Sequence, residues 1–256
     1  MKKKNFSISV VVLAAAAILA AVWSVMRTRD DVAADTRKRL RRDNGNAAIR
    51  CCGGKLETRR GPVLLQIDLP AGRFCDIKSL SEIPVPFSVV IKGDIKAMPD
   101  FANTPIVDLT LYSSGQAWIR RGGNLSKFRH LKSLTLGKIG MEELLKLKLP
   151  AGLQFFSADF TGDAELDLAF FAGAEKLETL SVGSFDGTLK LQVPETGLPQ
   201  ISTLILFGNC TGYEKLVKTA PLKQLVFQSM KIPHRFLLTP EVARIDRLIL
   251  KDSAVF

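Results

Sequence analysis

The sequence predicts an α/β solenoid: a curved parallel sheet of about nine short strands, preceded by an N-terminal membrane-spanning helix. Two observations predict it. A short apolar pattern returns nine times at intervals of 20–25 residues, the mark of stacked repeats. The chain also opens on a long run without charge. The pattern is clearest from Leu131 to Ile139, where Leu131, Leu134, Leu136 and Ile139 are apolar. That spacing is a short strand with a turn on either side. Leu134 and Leu136 point to one face, and Ser133, Thr135 and Gly137 to the other.

At the N-terminus, Lys2, Lys3 and Lys4 precede an uncharged run from Phe6 to Met26. As a helix it would be about 30 Å long, enough to cross a bilayer. A basic start and an alanine-rich middle also suit a cleaved export signal. The retained anchor is favoured, because secretory apolar segments are shorter and no clean small-x-small site follows. Residues 1–26 are thus read as anchor or signal. Arg27, Arg29, Arg37, Lys38, Arg39, Arg41 and Arg42 follow the span and argue for a cytoplasmic body. The lysine-rich start argues for export, to a periplasmic or extracellular site. Export is the reading preferred.

Charge separates the next segment from the body. The chain carries a net +11, but residues 1–60 hold +9 of it and residues 61–256 only +2. A near-neutral body lacks the basic face that nucleic acid requires, so no nucleic-acid partner is expected. Residues 27–60 are polar, with Asn44-Gly45-Asn46 and Gly53-Gly54, and read as a basic stalk. The arginine-rich stretch Arg37–Arg42 reads as part of a solvated spacer, the alternative being a basic segment that rests on anionic lipid headgroups.

From residue 61 onward the repeat takes over. Its positions 1, 4 and 6 are Pro62, Leu65, Ile67; Pro86, Val89, Ile91; Ile106, Leu109, Leu111; Leu131, Leu134, Leu136; and Leu153, Phe156, Ala158. They continue as Leu177, Leu180, Val182; Ile201, Leu204, Leu206; Leu222, Leu225, Phe227; and Ile245, Leu248, Leu250. Met141–Leu147 and Tyr213–Ala220 read as short helices between strands. Pro150, Pro194, Pro199 and Pro221 end such segments before the next strand. A single repeat cannot bury its own apolar face, whereas stacked neighbours bury a continuous core.

Period and pattern together resemble the leucine-rich repeat, over residues 61–256. The resemblance implies a solenoid that presents its sheet to a protein partner. The sequence departs from the family at position 9, where an asparagine usually bonds backbone groups in the turn after the strand. Only Asn209 matches; the equivalent residues are Pro70, Asp94, Ser114, Ile139, Thr161, Phe185, Met230 and Ser253.

Positions 3, 5 and 7 would line the open face. From Asp108 to Gly183 these are mostly small and polar, with Tyr112 and Phe155 as exceptions. The last three units differ: Ile205, Phe207, Val226 and Ile249 would form an exposed apolar patch, flanked by Gln228, with Arg247 and Lys251 at its rim. An apolar centre with a charged rim suits protein recognition. Only Lys251 to Phe256 follow the last core position. Either Val255 and Phe256 fold over the last core layer, the reading preferred, or the last strand offers an open edge for association.

Chemistry is sparse. His130 and His234 lie about four repeats apart, and neither has a nucleophile at an informative spacing. No dinucleotide, phosphate-loop or hydrolase motif occurs, so no enzyme, catalytic residue, cofactor or metal is expected. Cys51, Cys52, Cys75 and Cys210 allow three pairings. On export, Cys51 or Cys52 with Cys75 would tie the stalk to the first repeat. Cys210 reads as a buried small apolar residue. The functional expectation is a membrane-anchored or exported module that binds a protein or peptide on the sheet face. The alternative is a structural envelope protein that self-associates through its C-terminal edge.

Overall fold

In a computed structural model the protein is described at residues 55–58, 65–69, 87–92, 106–112 and 124–256. The segment 6–26, the arginines at 37–42 and Cys51, Cys52 and Cys75 lie outside the described residues. Among the described residues no helix is long and apolar enough to cross a membrane.

Each of the nine repeats supplies one strand, and all nine stack in parallel. The strands are β2 (Leu65–Leu69), β3 (Phe87–Lys92), β4 (Ile106–Tyr112), β5 (Ser133–Ile139), β6 (Phe155–Phe160), β8 (Thr179–Gln192), β9 (Thr203–Thr211), β10 (Gln224–Gln228) and β12 (Arg247–Lys251). β1 (Lys55–Thr58), inside the stretch read as stalk, pairs antiparallel with β2 at one edge. The register is that of the sequence alignment. Val89, Leu109, Leu134, Phe156, Leu180, Leu204, Leu225 and Leu248 face one another along the ladder, as do the residues at position 6. Only the first unit is corrected. Ile67, not Leu65, lies opposite Val89, a slip of two residues that strand alternation cannot detect, since it keeps the same face.

Burial follows the register. From Leu109 to Phe227 the residues at positions 4 and 6 are almost wholly buried, which is the main stabilising term in such a stack. The opposite side is irregular. It carries α1 (Met141–Lys146), α2 (Tyr213–Thr219), α3 (His234–Leu237), α4 (Pro240–Ala243) and a 3-10 turn over Leu168–Phe171. The two helices expected there are present. Aromatic contacts fix these segments to the core: Phe171 meets Phe156 edge-on at 4.9 Å, and Tyr213 meets Phe227 at 5.5 Å and Phe236 at 5.2 Å.

Short strands also occur on this second side. β8 is 14 residues long because it continues past a bulge and pairs with β7 (Ala164–Asp167) and the end of β9. β11 (Lys231–Ile232) pairs in parallel with β13 (Ala254–Val255).

The expected asparagine role passes to other residues. Asn209 is exposed. The Ser253 hydroxyl instead accepts from the Met230 backbone N–H at 3.1 Å and lies 3.1 Å from the Phe227 carbonyl, bridging to the preceding repeat. Buried Ser184 donates to the Phe160 carbonyl at 2.8 Å, again one repeat back. The residue one position earlier has a common geometry, inside β5 and β9 and directly after β10 and β12. Lys138, Gly208, Ser229 and Asp252 all adopt the left-handed conformation there, with φ of 52°, 64°, 55° and 52°.

The preferred reading of the C-terminus is overturned. Val255 and Phe256 do not cover the last core layer; they are 43% and 72% exposed. The tail runs beside β11, with the Phe256 carbonyl accepting the His234 N–H at 2.7 Å. Leu248 and Leu250 therefore stand 39% and 41% exposed at positions that are sealed elsewhere.

Candidate interaction face

The sheet face opposite the core is built by strand alternation alone: positions 4 and 6 turn inward, so 3, 5 and 7 turn out. Position 5 runs Thr110, Thr135, Ser157, Ser181, Ile205, Val226 and Ile249 across seven strands. It changes from hydroxyl to aliphatic between β8 and β9. The sequence expectation of two unlike halves is thus carried into space.

The patch itself is more closed than expected. Ile205, Val226 and Ile249 are direct neighbours, yet Val226, between the other two, is only 9% exposed. Phe207 is also 9% exposed. Its ring stacks on Phe185 at 5.2 Å and lies over Gly183. Side chains on an inner strand have neighbours on both sides, and these two are shielded by theirs. Ile205, Ile249 and Gln228 are half-buried, while Arg247 and Lys251 are exposed at the rim as expected. Phe155 is half-buried on β6, at position 3, away from this cluster. Tyr112 is exposed on β4.

Position 7 holds an arrangement that was not read from the sequence. Tyr112 lies opposite Gly137, Asp159 opposite Gly183, and Gly183 opposite Phe207. The two glycines are needed. A Cβ on Gly137 would fall 2.9 Å from Tyr112 Cδ1, and one on Gly183 would strike the Phe207 backbone carbonyl and fall 2.6 Å from its Cδ2. Each ring therefore leans over its glycine toward the central strand that carries Asp159. Tyr112, Gly137, Asp159 and Phe207 line one groove of about 300 Å³, with Thr135, Leu136, Lys138 and Ser157.

The electrostatics of the groove centre on Asp159. Burial pushes its carboxyl above the usual range, and nearby Asp186 pushes the same way; Lys138 and the Phe185 backbone N–H pull it down. Asp186 is held in the turn after β8's first segment. Its Oδ1 accepts the Gly162 N–H at 3.0 Å, while Asp163 accepts the Thr188 N–H at 2.8 Å. The two turns thus brace each other. Their close approach requires Gly187, since a Cβ there would strike the Gly162 backbone. Phe185, 57% exposed, projects from this turn beside Phe207.

His130 and His234 are both exposed. Among the described residues no group of three or more His, Cys, Asp or Glu side chains could hold a metal ion. Cys210 is buried and free, and burial, with Glu214 nearby, pushes its thiol up to about 12. Such a thiol is inert at neutral pH.

No family model matches the chain, and no curated protein matches it. Among solved structures it is similar to an internalin C2 (inlC2) from Listeria monocytogenes str. 4b F2365, at 14% identity and a TM-score of 0.45, covering 73% of this chain and 80% of that one.

Proposed function

We propose that the protein is a leucine-rich-repeat interaction module, without enzymatic activity, that binds a protein or peptide across the open sheet face. In this reading residues 6–26 hold it in a membrane with the body exported, and Arg37–Arg42 rest against lipid headgroups. One observation carries the binding reading: large aromatic side chains stand in the open on or beside the face, with Tyr112 47% and Phe185 57% exposed. Burying such rings against a partner yields more than any other contact the face offers.

A photo-crosslinking side chain placed at Ile205 or Tyr112, with Leu145 on the opposite side as control, tests this in intact cells. Ile205 is the better probe of the aliphatic region, because Phe207 and Val226 are too closed to be altered without disturbing the fold. Adducts to one protein from Ile205 and Tyr112 but not from Leu145 are expected. Equal adducts from Leu145, or none from the face, would overturn the reading.

Self-association is the second reading, supported by exposed Leu248 and Leu250 on β12, the strand at the end of the ladder. A crosslinker at Leu248 would then give adducts of twice the chain's mass.

A further inference from the structure

We infer that the groove between Tyr112 and Phe207 receives a lysine or arginine side chain of the partner, its cationic head on Asp159 and its stem against the exposed ring of Tyr112. This rests on the face being the binding surface and specifies what one part of it recognises. Tyr112, Gly137, Asp159, Gly183 and Phe207 hold the same repeat position on five successive strands; Tyr112 pairs with Gly137, and Asp159, Gly183 and Phe207 pair in turn, while the register shifts between β5 and β6 beyond Leu136. A carboxylate is thus flanked on each side by a glycine and then by an aromatic ring. The outer two Cα positions are four strand spacings apart, about 19 Å. Both rings lean inward over the glycines, narrowing the space above Asp159.

Ring faces and a carboxylate attract the same kind of group. The π-face is the negative part of an aromatic ring, and cations sit over it. An apolar side chain would desolvate Asp159 further with nothing in return, and an acidic one would be repelled by both Asp159 and Asp186. Long cationic side chains suit the site because their methylene stems pack on rings while the head stays polar. Lys138 lines the same groove and offsets part of this charge, yet the carboxyl of Asp159 remains shifted toward its neutral form, first by burial and then by Asp186. A partner cation would supply what is missing. The chain as a whole is positive, at +11, so general attraction would not bring a cation here; the preference is local.

The test uses the full chain labelled with ¹⁵N-glycine, so that Gly137 and Gly183 report on the groove directly. The probes are a capped pentapeptide with a central lysine and its counterpart with norleucine, titrated to about 10 mM because one ion pair with ring contacts gives millimolar binding. The lysine peptide is expected to shift both glycines saturably, and the norleucine peptide is not. Asp159→Asn, which keeps size and the ability to accept the Phe185 N–H, is expected to weaken binding about tenfold. Tyr112→Leu is expected to weaken it several-fold. Equal shifts by both peptides, an unchanged affinity in Asp159→Asn, or no shift at the highest concentration would overturn the inference. Crosslinking from Ile205 would stand regardless, so failure here is distinct from failure of the face.

Discussion

Leu180 and Leu248 occupy the same position in their repeats, on β8 and on β12. The first is fully buried and the second is 39% exposed. Both sit in a parallel strand with the same register to the preceding one. The difference is that β8 has neighbours on both sides, while β12 has β10 on one side only. Sequence pattern makes the strand, but the next turn of the stack makes the core. Stability in such an array is a sum of nearest-neighbour interfaces, so a terminal turn holds about half of what an inner one does.

The sharpest way to break the comparison is to truncate both leucines. Leu180→Ala is expected to cost roughly 2–5 kcal/mol in chemical denaturation, because it leaves a cavity that inner turns cannot collapse. Leu248→Ala is expected to cost about 1 kcal/mol, since much of that side chain already meets water. Equal losses would mean that the last turn is as well packed as the middle.

The left-handed residues at position 8 allow a second comparison. Gly208 and Ser229 share the left-handed conformation at the same repeat position. A Cβ on Gly208 would strike the Ser184 carbonyl, so Gly208→Ala is expected to destabilise by about 2 kcal/mol or more. Ser229→Gly should be neutral or stabilising by up to about 1 kcal/mol, since it removes the left-handed penalty. Thermal unfolding of the two variants separates backbone geometry from side-chain chemistry.

Smaller effects are expected at Ser253 and Asp159. Ser253→Ala removes the bridge to Met230 and Phe227 and should cost about 1 kcal/mol, read as a lowered urea midpoint. Asp159→Asn should raise the melting temperature slightly at neutral pH. Its folded carboxyl is shifted upward, so the ionised form is the disfavoured one in the fold. The penalty is full above the raised value and is gone once pH has fallen below the ordinary carboxylate value, where both states are protonated. The gain from Asp159→Asn should fade over that window.

Much of the fold was legible because the repeat spacing is redundant. Eight of the nine units took the expected register. The first slipped by two because Leu65, Ile67 and Leu69 offer equivalent patterns. The turns were not legible, since Lys138, Gly208, Ser229 and Asp252 share a conformation but no chemistry. The face was half legible. Strand alternation placed Ile205, Val226 and Ile249 together, but not how far Phe207 and Val226 would be shielded by their neighbours. The groove escaped notice because its parts, from Tyr112 to Phe207, are scattered over nearly 100 residues. Gly137 and Gly183 read as small residues until their register showed which rings lean over them.

Native-state hydrogen exchange along residues 124–256 reads the difference between inner and terminal turns amide by amide. Amides in β6, β8 and β9 should exchange slowest, through opening of the whole stack, and those in β12 and β13 fastest, through fraying of the last turn. Protection of β12 equal to that of β8 would contradict the account.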